Sequence, residues 1–351
     1  MIFRLSQKLA TKIKTVAPRS LPLNSNPFAD WSASVFTAAR AQYVATRYSR
    51  DVVAHTLTAG IAQTYFTVRS LDAQIIVSEE TLRAAADSAD ITRQRAQAGV
   101  VSDLDVSQSD ANRAQIASQL KDLRRSRAAA THQLGVLTAM LDLDVAPDGR
   151  QLPSPPLPPA GLPSTLLERR PDIREAEATL MSANAQIGIA RAAQFPTISL
   201  TGALGAQSRE LSTLFSTGAG IWSIGLNAVG PILDWGLYAA RTDQAEARAK
   251  QAAALYEKTA QTAFREVADA LSNVRLAAEA EQDLRERVEQ ASNALRLSNL
   301  RYESGYSAYI EVLDAQRTLN DAQLALARNR QLYLSYTVDL MNALGGGWTP
   351  Y

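Results

Sequence analysis

His55 and His132 are the only imidazoles in a chain of 351 residues that has no cysteine. That inventory excludes a disulfide framework, a thiolate metal site and a cysteine nucleophile. Two histidines so far apart do not make a zinc shell, and a catalytic histidine would need a carboxylate motif that no stretch supplies. Neither an enzyme, nor a metal, nor an organic cofactor is expected. The charges balance, 36 Lys+Arg against 35 Asp+Glu, so there is no basic footprint for nucleic acid. With 46% apolar residues the chain is of the folded class.

What positions the remaining side chains is a doubled pattern. Arg69, Arg95, Gly99, Asp105, Val106, Leu120 and Leu134 recur as Arg275, Arg301, Gly305, Glu311, Val312, Leu326 and Leu340, each 206 positions further on. An ungapped constant offset points to internal duplication. From Trp31 to Gly99, and from Leu237 to Gly305, Gly and Pro almost vanish while Ala, Arg, Glu, Gln and Leu dominate. Those runs predict unbroken helices, each on the order of 100 Å long. Second helices are expected over about 103–141 and 308–344. In the last, Leu319, Ala322, Leu326, Asn329, Tyr333, Tyr336 and Leu340 step by threes and fours, as in a coiled-coil seam. The earlier copy keeps Ile116, Leu120, Leu123, Ala130 and Leu134 but sets Arg127 on the stripe. The expected unit is a pair of antiparallel helices turning at Gly99 or Gly305.

Seven prolines between Pro147 and Pro163 end the first repeat and read as a stiff surface linker. A further helix is expected from about Ser164 to Gln194, with Pro171 tolerated near its first turn. Then the period changes to two. Ile198, Leu200, Gly202, Leu204 and Ala206 alternate with Thr197, Ser199, Thr201, Ala203 and Gly205; Trp222, Ile224, Leu226 and Ala228 alternate with Ser223, Gly225 and Asn227. Each run is close to the ~9–11 residues a tilted strand needs to cross a bilayer. Alternation alone also fits a hairpin lying on soluble protein. Two strands between helices of such length have no soluble core to lie on, which favours membrane strands with a small polar set toward water. Residues 208–220 form the loop, and Pro231 and Gly236 punctuate the return to helix.

No run of about 18 apolar residues predicts a membrane helix. The opening residues to Lys14 mix basic and apolar types without the unbroken core of a secretory signal, so no export signal is expected in them.

Arg169-Arg170-Pro171-Asp172-Ile173 with Ala176-Glu177, then Ile187-Gly188-Ile189-Ala190, Phe195-Pro196 and Leu200-Thr201-Gly202, closely resembles the NodT/OprM lipoprotein branch of TolC-like outer membrane factors. Arg95-x-x-x-Gly99-x-x-Ser102-x-x-Asp105-Val106 and Arg301-x-x-x-Gly305-x-Ser307 look like that family's two helix-hairpin turns. The resemblance covers roughly residues 30–345. It implies a mainly α fold of two tandem helical hairpins, a TolC-like α-barrel, with a transmembrane β-hairpin contributing to a trimeric barrel. It also implies a homotrimeric outer membrane and periplasmic duct, working with a periplasmic adaptor and an inner membrane pump of the RND type to expel drugs or other small molecules. Ile198, Leu200, Leu204, Trp222, Ile224 and Leu226 would face outer membrane lipid.

The resemblance further implies a periplasmic gate at Glu311 and Asp314, where carboxylates from three subunits would repel one another and bind cations. Taken alone, two acids near a helix start merely complement its dipole. Related proteins tie positions like Asp105 and Tyr302 together to hold the entrance closed, whereas a basic latch position of some relatives is Ser307 here. Gly99, Val100, Val101, Ser102, Gly305 and Ser307 would meet the adaptor.

The organisation read from these features is an atypical segment 1–30, a first incomplete repeat 31–146, the linker 147–163, a second repeat 164–345 with its hairpin at 196–234, and a tail 346–351. The first repeat has no counterpart of the 165–207 block, and there is no cysteine to carry a lipid. Six strands from a trimer in place of the family's twelve would not close at the same radius. The expectation from this is a truncated or mis-started frame, with a non-functional remnant or a periplasmic adaptor as rival readings.

Overall fold

In a computed structural model, residues 27–146, 169–210, 212 and 214–346 are described, with side chains from Trp31 onward. The opening segment, the Pro-rich linker and the C-terminal tail fall outside that range, apart from their borders. Among the described residues seven elements follow in order: α1 (Pro27–Gln97), α2 (Asp103–Thr138), α3 (Pro171–Ala192), β1 (Thr197–Ala206), β2 (Gly220–Val229), α4 (Leu237–Glu303) and α5 (Tyr309–Ala343). Pro171 opens α3, where a missing amide hydrogen costs nothing. None of the described helices is long and apolar enough to cross a membrane.

Contacts divide the chain into two compact units, Met1–Arg50 with Pro171–Gln261, and Asp51–Arg170 with Thr262–Tyr351. The division cuts across α1 and α4, so it groups residues by packing where the repeats group them by ancestry.

The first unit is held by small side chains. Ala38, Ala41 and Ala45 of α1 are buried together with Ile173, Leu180 and Ile187 of α3 and Ala245, Ala249 and Tyr256 of α4. Helices come this close because the contacts are alanine and glycine: a Cβ at Gly188 would lie 2.5 Å from Ser34 Oγ. The hairpin belongs to this unit too. Its strands pair antiparallel from Thr197↔Val229 to Ala206↔Gly220 without a bulge.

In the second unit, cross-helix ion pairs fix the antiparallel course of α1 and α2: Arg93 with Asp110 at 3.0 Å, and Arg124 with Glu79 at 2.8 Å. The expected stripe Ile116, Leu120, Leu123, Ala130 and Leu134 is buried. Arg127, the odd member, donates from Nε to the buried Asp72 at 2.5 Å and from its other end to the Val145 carbonyl at 2.7 Å. Arg69 adds bonds to Asp72 and to the Ala146 carbonyl. The two guanidiniums thus fix the backbone that leads into the Pro-rich stretch. At the other end of that stretch, Arg170 donates to the Ala343 carbonyl at 3.0 Å and pairs with Glu266 at 2.7 Å.

α5 is buried on two sides rather than on the single expected stripe. Toward α4 it is apolar, with Tyr333, Leu340 and Ala343 against Val267, Ala270, Val274 and Ala277. Toward α1 it is polar: Gln63 donates to Asp339, Gln331 to Thr67, Ser70 to the Ala327 carbonyl, and Arg328 to Gln74. Burial nevertheless pushes the Asp339 carboxyl above its ordinary range, and the amide donated by Gln63 only partly offsets this.

Candidate functional site

Both helix turns close in the same way. The Gly99 amide donates to the Ala96 carbonyl and Val100 to Arg95; 206 positions on, Gly305 donates to Tyr302 and Tyr306 to Arg301. These are the paired bonds of a Schellman cap, which needs a left-handed residue, and the two glycines sit at φ +71° and +77°. The duplication is therefore preserved as geometry and not only as sequence.

Beyond the glycines the turns diverge. At the first, Ser102 caps α2: its hydroxyl accepts from the Asp105 amide, and the Asp105 carboxylate accepts from the Ser102 amide at 3.1 Å and from its hydroxyl at 2.9 Å. At the second, the corresponding cap is Ala308, which has no side-chain hydrogen bond. The counterpart of Asp105 is Glu311, with nothing to cap, and it lies 3.6 Å from Arg301 Nε. Ser307, next to the cap, has a buried hydroxyl without a partner. An Ala308→Ser chain is expected to regain the reciprocal cap, gaining about 1 kcal/mol, and to slow hydrogen exchange at the Glu311 amide. Unchanged exchange there would show that the cap does not form.

The two acids implied as a gate are both on the exposed side of α5, yet neither is bare. Asp314 lies 3.8 Å from Arg317 and Glu311 3.6 Å from Arg301, and all four side chains are about half exposed. Exposed pairs of this length are weak. Within the protomer Asp105 and Tyr302 are not joined: the carboxylate is engaged by Ser102, and the Tyr302 hydroxyl is buried without a hydrogen bond. What the Tyr302 ring meets is the Arg95 guanidinium, 5.3 Å from its centroid, and the Tyr309 ring at the same separation. Tyr309 in turn shares a 2.7 Å hydrogen bond with Ser88. This clasp links the helix before the first turn to both helices of the second. Sequence reasoning missed it, although Arg95 and Arg301 already stood out as a repeated pair.

Behind the first turn, Arg93 bonds Asp90 at 2.6 Å and Asp110 at 3.0 Å, and those carboxylates, Asp90 foremost, raise its already high pKa. The outward tip residues are Val100, Leu104 and Tyr306, all well exposed.

In the hairpin, residues directly opposite share a face. The register sets Ile198 against Ala228, Leu200 against Leu226, Gly202 against Ile224 and Leu204 against Trp222. One face is thus apolar from end to end. The other pairs Thr197 with Val229, Ser199 with Asn227, Thr201 with Gly225, Ala203 with Ser223 and Gly205 with Ile221, without a charged side chain. Every residue of both strands is exposed. Past β2, Ile232, Leu233 and Trp235 are at least 80% exposed.

The family model described as outer membrane efflux protein matches residues 25–139 and 162–346. A probable efflux pump outer membrane protein, TtgC of Pseudomonas putida, is 39% identical over 311 residues, which are 87% of this chain and 64% of the relative. The chain therefore spans just under two thirds of that relative's length. A crystal structure of a membrane protein from Pseudomonas aeruginosa matches with 36% identity and a TM-score of 0.83, covering 90% of this chain and 72% of the other. A second, of CusC, studied for folding and transmembrane channel formation, matches with 29% identity and a TM-score of 0.83, covering 99% and 88%.

Proposed function

The chain belongs to the outer membrane efflux protein family, and from that premise we propose that it is a subunit of a homotrimeric outer membrane duct that conducts drugs or other small molecules outward. It works passively, without covalent chemistry, and receives its cargo from an inner membrane pump of the RND type through a periplasmic adaptor.

The observation that carries this reading is the hairpin register. A two-stranded sheet exposed on both faces is not stable alone in water. Here Ile198, Leu200 and Leu204 with Trp222, Ile224 and Leu226 lie on one side, and the other side carries large apolar residues, Ile221 and Val229, only near its two ends. Lipid against that face, water against the hydroxyl and amide face, and neighbouring strands at the two free edges would satisfy every group, as a closed barrel does. The helices would continue the duct below the membrane, with Gly99, Val100, Val101, Ser102, Gly305 and Ser307 presented to the adaptor.

Its entrance would be gated at Glu311 and Asp314, near Tyr302 and Asp105. Three protomers would bring six carboxylates to the axis, each with an arginine within 4 Å that screens it only weakly, so the ring would keep its affinity for cations. The test is single-channel conductance, in planar bilayers, of a full-length, membrane-inserted version of the chain. Discrete steps blocked by divalent cations are expected, with the block weakened tenfold or more in Glu311→Gln/Asp314→Asn. No steps at all would overturn the duct; steps whose block is unaltered in the double variant would overturn the gate.

A further inference from the structure

Where α1, α2 and α5 meet, the second unit holds a cavity of about 80 Å³ that is partly open to solvent. Its walls are mostly carboxamides: Asn112, Gln115 and Gln119 of α2, and Gln316 and Asn320 of α5. Side chains at i and i+4 share a helix face, which is why Gln115 with Gln119, and Gln316 with Asn320, point into one space. Asn320 is 93% buried by its 7% exposure, and its Oδ1 has no hydrogen-bond partner. Asn112, 2% exposed, is held by weak bonds, donating to Gln316 at 3.4 Å and accepting from Arg317 at 3.2 Å. Amides at this depth need partners, because an unpaired buried carbonyl is costly.

We infer that this cavity is a binding site for a cluster of ordered water molecules that bridges the three helices. Charge argues for a neutral occupant: among the lining residues Arg317 and Asp321 cancel, and the rest are uncharged. Size argues for water, since the space is well above the ~10–15 Å³ that one molecule needs and, at ~30 Å³ per molecule as in the liquid, takes two or three. Carboxamides both donate and accept, so a cluster of molecules that do the same can satisfy each wall group, whereas a cation would leave the amide N–H groups facing like charge. The site binds the helices of the first turn to the second helix of the other turn through exchangeable partners. It touches Arg317, the residue beside Asp314.

A high-resolution crystal structure of the full chain tests this. A connected cluster of waters is expected, one of them within hydrogen-bond distance of Asn320 Oδ1. A cavity closed by rotated side chains, or filled by an ion, overturns the inference. In solution, Asn320→Leu removes the buried amide while keeping its branched outline. If water satisfies that amide, the melting temperature does not rise by more than ~3 °C. A larger rise indicates a dry, unsatisfied carbonyl and refutes the water cluster.

Discussion

A Leu200→Arg chain is expected to lose about 2–4 kcal/mol of stability in a bilayer, whereas Thr201→Arg, one residue along, should lose little. Leu200 pairs with Leu226, near the middle of both strands, on the apolar face; Thr201 pairs with Gly225 on the polar face. A guanidinium at mid-membrane depth must leave water, while one projecting into an aqueous lumen keeps its hydration. The comparison is well controlled because both positions are exposed in the isolated protomer and both are centrally placed in β1. Helix propensity, turn chemistry and burial within the chain play no part in the difference. Ile224→Arg against Ser223→Arg repeats the experiment on β2. Urea titration of the lipid-inserted protein, followed by the slower gel migration of unfolded barrels, measures the loss. If the hairpin lay on a soluble protein surface through its apolar side, the leucine and isoleucine variants would lose as much stability without a bilayer as within one. That lipid-independent loss would sink the membrane assignment.

Features carried by local sequence were legible in advance. A period of two needs only the strand itself, and the register that unites the two apolar sets follows from it, since a slip by one residue would split them. Gly99 and Gly305 were legible because each left-handed cap is a local demand met by one residue type. Side chains that find partners far along the chain were less so. Ser70, Gln74 and Asn320 are types that ordinarily face solvent, and nothing in their spacing says that a second helix lies over them. The single coiled-coil stripe expected of α5 describes its apolar contact with α4 and misses the polar one with α1. The divergence of the two turns stood in the repeat itself, where Ser102 and Asp105 become Ala308 and Glu311. Only the reciprocal hydrogen bonds of the first pair give that exchange its meaning. Arg127 was visible as an anomaly on a buried stripe, but its partner Asp72 was not, because 55 residues and a reversal of the chain separate them.

That anomaly yields the second large effect. Replacing Arg127 by Met is expected to cost about 3–5 kcal/mol, since breaking a buried pair strands the remaining charge. Asp72 is 3% exposed and Arg127 is its short-range partner at 2.5 Å; Arg69, at 3.2 Å, is already shared with the Ala146 carbonyl. Part of the cost would be relieved because the Arg127 side chain keeps 21% exposure, so the lower end of the range is the better expectation. The duplication supplies its own control. The positions equivalent to Asp72 and Arg127, 206 residues on, are Ala278 and Tyr333, which pack in an apolar cluster with Val274 and Ala277. An Asp72→Ala/Arg127→Tyr chain should therefore recover most of what Arg127→Met loses, because a well-packed apolar replacement of a buried ion pair is often neutral or better. Thermal unfolding of the three chains gives the comparison. Recovery in the double variant would assign the first repeat's ion pair to fixing the backbone at Val145 and Ala146. A double variant as unstable as the single one would instead make the charge pair indispensable to the helix packing itself.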